Sequence, residues 1–94
     1  MKIVWTKTSE LTLDEIIDYI QYKFGKSISE KYYFDVLETV DAIEINPELF
    51  PVFQNKSSIR KAVINKKTIL YYQIQKENIN LLAFYDVRKG THKL

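Results

Sequence analysis

The apolar residues of this chain change their spacing once, close to Pro47. Before it they recur at helical intervals; after it they crowd into short runs of β-branched and aromatic residues. Leu13, Ile16, Ile17, Ile20 and Phe24 mark one face of a helix. Ile28, Tyr32, Val36, Leu37, Val40 and Ile43 mark one face of a second. Thr12-Leu13-Asp14-Glu15 and Ser27-Ile28-Ser29-Glu30 each have the form of a capping box, so the spacing predicts helix starts there, the first extending back as far as Ser9. Gly25 ends the first helix and Pro47 stops the second. A connection confined to residues 25–27 makes the two helices an antiparallel hairpin.

Residues 2–6, Lys-Ile-Val-Trp-Thr, read as a strand. Residues 47–58 carry both prolines and are expected as a loop, pinned to the core by Leu49, Phe50 and Phe53. Ile59–Ile64, Thr68–Gln75 and Ile79–Val87 follow, separated by Asn65-Lys66-Lys67 and Lys76-Glu77-Asn78; connections so short make antiparallel hairpins. The expected class is α+β with the order β-α-α-β-β-β. The helical hairpin covers one face of a mainly antiparallel sheet and leaves the other partly open. With 94 residues there is room for one domain, 1–94.

Several function classes fall away. There is no cysteine, hence no disulfide framework and no thiolate metal site. His92 is the single histidine and cannot build a multi-histidine centre, and a triad through it would rest on the tail. Neither a phosphate loop nor a dinucleotide fingerprint occurs, so no cofactor and no metal is expected. No apolar run is long enough to span a bilayer, and Met1-Lys2-Ile3-Val4-Trp5 runs straight into polar residues; the expectation is a cytoplasmic protein without a membrane partner. Asp41 and Glu44 share a helical face, as solvated surface more readily than as a catalytic pair.

The net charge of +2 conceals two opposite halves. Residues 1–53 hold five Lys and ten Asp or Glu, a net of −5; residues 54–94 hold nine Lys or Arg against Glu77 and Asp86, a net of +7. Lys56, Arg60, Lys61, Lys66 and Lys67 form a cluster without an acid among them, and Arg88, Lys89 and Lys93 extend it. Such a patch suits an anionic ligand or target, with the tyrosines and phenylalanines as stacking surfaces. The alternative for Lys66 and Lys67 is a turn that merely keeps an edge soluble. Arg60, inside a strand, either faces the open side of the sheet or pairs with Asp86 or Glu77.

Taken in order, Ile3-Val4-Trp5-Thr6, Leu13 to Ile20, Ile45-Asn46-Pro47, Ile59-Arg60-Lys61, Ile69-Leu70-Tyr71-Tyr72 and Leu81 to Lys89 resemble the RelE/ParE superfamily of bacterial toxins from type II toxin–antitoxin modules. The resemblance implies a growth-inhibiting toxin of the plasmid-stabilisation type, neutralised by an antitoxin, usually acidic, that wraps around it. ParE-like members poison DNA gyrase; RelE-like members cleave mRNA on the ribosome. For the cleaving branch it implies catalytic roles at Arg60, Arg88 and Tyr85, with Lys56, Lys89, Tyr85 or His92 as acid or base. For either branch, Lys56, Arg60, Lys61, Arg88 and Lys89 are the candidate target-binding residues. The acid-rich helices, with no base on the second after Lys31, and the ending Phe84-Tyr85-Asp86-Val87-Arg88-Lys89 favour the ParE-like reading over a ribosome-dependent endoribonuclease. A non-toxic interaction domain of the same fold is the third reading.

Overall fold

A computed structural model describes residues 1–89. The element order is β1 (Lys2–Trp5), α1 (Lys7–Phe24), α2 (Lys26–Ile45), β2 (Val52–Phe53), β3 (Lys56–Ile64), β4 (Thr68–Gln75) and β5 (Asn78–Asp86). The five strands form one mixed sheet in the order β1-β5-β4-β3-β2. All ladders are antiparallel except that of β1, which lies parallel to β5; the helical hairpin carries the chain from β1 at one edge to β2 at the other. His92 and Lys93 lie outside the described residues.

Both helices pack their apolar stripes on the same face of the sheet. Leu13, Ile16 and Ile20 of α1 and Tyr32, Val36, Val40 and Ile43 of α2 meet Ala62, Ile64, Leu70, Tyr72, Ile79, Leu81 and Phe84. Trp5 stacks on Phe84 with ring centroids 5.9 Å apart, which sews β1 into this core.

Both predicted capping boxes are replaced. Helix α1 starts five residues before Thr12, and its N-cap is Thr6, whose hydroxyl accepts from Ser9 N–H at 3.1 Å. The same hydroxyl donates to Leu81 O at 2.6 Å, so the cap also fastens the end of β1 to β5. Thr12 lies inside the helix and donates to Thr8 O at 2.7 Å. Its oxygen in turn accepts from Phe84 N–H at 3.0 Å. That N–H lies beside a bulge in β5, where Leu82 has no ladder partner and the register against Tyr71 and Tyr72 shifts. Tertiary contact therefore gives Thr12 a different use from the cap its sequence context suggests. At α2 no side chain caps the N-terminus; Ser29 donates back to Lys26 O at 2.9 Å.

The helical connection is a single residue. Gly25 has φ +97° and ψ 167° and serves as C-cap of α1 and N-cap of α2 at once. This region of backbone space is essentially reserved to glycine. A Cβ at Gly25 would meet nothing within 4 Å, so any cost of adding one is conformational rather than steric.

The loop expected over 47–58 is shorter than its composition implies. Val52–Phe53 pairs with β3 across a tight turn at Gln54 and Asn55, both at positive φ, and β3 itself begins at Lys56. A primed hairpin turn without glycine left no signal there. Phe50 packs on the core and Phe53 sits edge-on to Tyr71 at 4.8 Å, but Leu49 is 49% exposed and pins nothing.

Two consequences can be measured. Gly25→Ala is expected to lower unfolding free energy by about 1–3 kcal/mol, read from urea titrations with an unchanged m-value. Thr12→Val leaves the Phe84 N–H without its acceptor and is expected to cost about 1–3 kcal/mol, with faster hydrogen exchange at that amide.

Candidate functional site

The predicted site residues fall in three separate places. Arg60 stands opposite Tyr72 in the ladder. Directly opposed residues share a face, and Tyr72 faces the helices, so Arg60 does too. Neither position expected for it is correct: it does not face the open side, and it pairs with neither Asp86 nor Glu77. Its Nη1 donates to Phe50 O at 2.7 Å and, more weakly, to Glu48 O at 3.4 Å. Tyr72 Oη donates to Pro47 O at 2.7 Å. The two side chains thus strap the 47–50 loop over the end of the core. The loop carbonyls supply the acceptors, and no side-chain pattern announces them. Arg60 Nε is buried and has no partner among the described residues.

Lys61 and Tyr85 lie on the opposite, open face. Lys61 is opposite Tyr71, and Tyr85 sits edge-on to Tyr71 at 5.8 Å. Tyr71 is itself buried beneath Phe53 and Tyr85, so this face carries a small aromatic cluster. Lys56 belongs to β3 by its backbone; its side chain lies outside the described structure. Lys89 is exposed just beyond β5.

Arg88 occupies the third place. Asp86 follows Phe84 by two residues in β5 and shares its inward face, with a side chain that is 0% exposed. Arg88 turns back on it in a fork: Nε to Oδ1 at 2.8 Å and Nη2 to Oδ2 at 2.7 Å, while the Arg88 backbone N–H adds a bond to Oδ1 at 2.9 Å. The Thr68 hydroxyl donates to Oδ2 at 2.7 Å. Its one proton is spent there, so its lone pair accepts from Tyr32 Oη, 3.2 Å away. The guanidinium lies 5.9 Å from the ring centres of both Phe24 and Tyr32, and Tyr19 donates to the Arg88 carbonyl at 2.8 Å. This network joins both helices to the end of the sheet. In the sequence Asp86 is a candidate partner for Arg60 rather than for Arg88, and Thr68 gives no signal; the one indication of the network is the alternation that puts Asp86 with Phe84.

Arg60 and Arg88 therefore do not converge. Asp86, which holds Arg88, pairs with Thr68, four ladder steps and two strands from Arg60; strand geometry makes that roughly 13 Å along the sheet and 10 Å across it. Each guanidinium is already engaged by its own fold.

Burial pushes the Asp86 carboxyl up, but the hydrogen bonds from Arg88 and Thr68 and the charge of Arg88 outweigh it, leaving its pKa below the ordinary value. Burial is also the main reason the Tyr32 phenol is pushed up to about 12. Among the described residues no group of three or more His, Cys, Asp or Glu is placed to hold a metal, and no helix is long and apolar enough to cross a membrane.

A small cavity of about 150 Å³ opens beside Arg88, lined also by Ile28, Lys31, Tyr32, Asp35, Asn65 and Lys67; larger concave surface lies on the outside of the helical hairpin. A cleft of about 570 Å³ is floored by Trp5, Leu13 and Leu37 with Leu11 and Tyr33 at its sides. A second, of about 420 Å³, continues it over Ile17 toward the tip of the hairpin. Asp14 and Tyr33 line both, so the two form one groove between α1 and α2.

No protein-family model matches this chain, and no curated protein does. Solved structures do. A chain of the structure titled "Chromosomal ParDE TA system from P. aeruginosa" superposes with a TM-score of 0.78 at 17% identity, over 92% of this chain and 95% of that one. The architecture is therefore that of the RelE/ParE-like fold, two helices on one face of a five-stranded mixed sheet, as the sequence resemblance implied. An identity this low establishes the fold and leaves activity to be argued from the chain's own residues.

The Asp86–Arg88 pair sets two expectations. Arg88→Ala strands a buried carboxylate and is expected to cost about 3–5 kcal/mol in urea unfolding. The pH dependence has two limbs. Asp86 gives up its proton more readily folded than unfolded, so its contribution is full above about pH 4 and disappears as pH falls through the lower folded pKa. Tyr32 behaves oppositely: between its ordinary 10.0 and about 12 the unfolded chain ionises and the folded one does not, so stability falls across that window. Urea midpoints measured against pH are expected to lose part of the acid limb in Asp86→Asn and part of the alkaline limb in Tyr32→Phe.

Proposed function

We propose that this chain is the toxin of a type II toxin–antitoxin module, of the ParE-like kind that inhibits an essential target such as DNA gyrase by binding it. The observation that carries the reading is the fold, shared over nearly the whole chain with a chain of a ParDE system. The arginines support the non-nuclease branch. Cleaving RNA requires a group to activate the 2′-hydroxyl, one to steady the charged phosphorane and one to protonate the leaving oxygen, all around one phosphate. Arg60 and Arg88 are each committed to a structural partner and lie too far apart to share it. Target contacts then fall to the other basic groups, half-buried Lys61 on the open face and exposed Lys89 beyond β5, with Lys56 on β3. The antitoxin's place is the hairpin groove, in the manner of a helix laid into an apolar channel. Both roles belong to the cytoplasm.

The test is induced expression in a bacterial host, with and without the neighbouring gene. Growth arrest is expected alone and its relief on co-expression. Purified protein is expected to inhibit gyrase supercoiling, and primer extension on mRNA to show no new stops. Codon-positioned cuts would replace this reading with ribosome-dependent cleavage. Growth unaffected in either arm would leave a non-toxic interaction domain.

A further inference from the structure

An antiparallel sheet with one face on a core and the other in water alternates apolar and polar residues along its strands. The open face of this sheet departs from that rule. Around Lys61, the outward positions of the three long strands hold Ile59, Val63, Ile69, Tyr71, Ala83 and Tyr85. Toward the other end the face turns to uncharged amides, where Asn80 donates to Gln75 and Gln73 to Ser58, both at 3.0 Å. Charged residues make up 28% of the chain, yet among the described side chains at outward positions of the strands the charges are Lys2 and Lys61, and no acid occurs. Loss of charge with aromatic residues at the centre is the composition of a buried protein interface; a solvated sheet or a phosphate-binding one would be richer in charge. We infer that this face is where two copies of the chain pair, sheet on sheet, in a reversible dimer. The inference goes beyond the toxin reading and does not need it.

Size and charge both suit a second copy. Strand spacing and rise make the three long strands about 14 Å across and about 26 Å along. With β1 and β2 at the sides, two such faces remove on the order of 1,000 Å² from water, the lower bound of a specific interface. Lys61, Tyr71 and Ala83 share one row of the ladders. A two-fold axis running along β4 sets Lys61 of one copy over the partner's Ala83, and the reverse. The alanine methyl leaves room for the lysine stem, and the two ammonium groups reach water on opposite sides of the axis. In the next row Ile69 meets the partner's Ile69 on the axis, and Val63 meets the partner's Tyr85. Val63 is 51% exposed in one copy and has the most apolar surface to lose among these residues. The helices, which carry four Lys against nine Asp or Glu, lie on the far side of each sheet. Pairing the open faces therefore keeps the two negative hairpins apart, and it covers Lys61.

The test is sedimentation of the full chain from about 1 µM to about 500 µM, where an interface of this size is expected to give a monomer–dimer equilibrium with Kd on the order of 10–100 µM. Raising NaCl from about 50 mM to about 500 mM is expected to leave the dimer unchanged or tighten it, because the charges it brings together are alike. The chain has no cysteine, so a single introduced thiol reports the geometry without background. Ile69→Cys is expected to cross-link on oxidation, while Leu11→Cys, 55% exposed on the outside of the hairpin, stays monomeric. Val63→Asp, shown folded by circular dichroism, is expected to raise Kd at least about ten-fold, the cost of a carboxylate placed in an apolar contact. A monomer at the highest concentration, a dimer that salt weakens, cross-linking through Leu11→Cys in place of Ile69→Cys, or a Val63→Asp dimer of unchanged Kd overturns the inference. Growth arrest on expression bears on the toxin reading alone; a chain that stays monomeric removes the inference and leaves that reading untouched.

Discussion

A carboxylate with no exposed surface has to be neutralised where it sits. Asp86 is such a group, and the way it is neutralised organises one end of the molecule. Arg88 forks onto it, Thr68 donates to it, Tyr32 closes the chain of hydroxyls, and Tyr19 takes the Arg88 carbonyl. Those residues come from β4, β5, α1, α2 and the turn after β5. A polar network of this sort tolerates no missing member, because each loss leaves a buried charge or donor behind. An arginine in a toxin-like fold invites a catalytic reading; here its fork is taken up by the fold.

The other end of the core is closed by the same logic with weaker parts. Arg60 and Tyr72 hold the 47–50 loop by its carbonyls, which keeps Phe50 over the core without any acidic partner. Between these two ends the sheet is bulged at Leu82, and Thr12 takes up the amide at that step. Both arginines are thus engaged by the fold, and the molecule carries an aromatic cluster on the open sheet and an apolar groove edged by acids on the hairpin.

That division of charge gives the molecule two electrostatically distinct sides. The hairpin, net −5, and the strands and turns that follow it, net positive, present opposite fields to solvent.

Element types were legible in the residues themselves, because period 3.6 and period 2 are local consequences of which side chains must be buried. The stop at Pro47, the glycine between the helices and the three long hairpin strands follow from the same local rules, and so does the charge asymmetry. What the chain could not display were partnerships made across space. Thr6 rather than Thr12 caps α1 because β5 lies beside Thr6 and its bulge beside Thr12. Val52–Phe53 is a strand because β3 is there to pair with it. Arg60 and Arg88, alike in a sequence, went to opposite ends and different acceptors once the sheet was assembled. A side chain's type sets what bonds it can form; only the packed fold decides which acceptor comes within 3 Å of it.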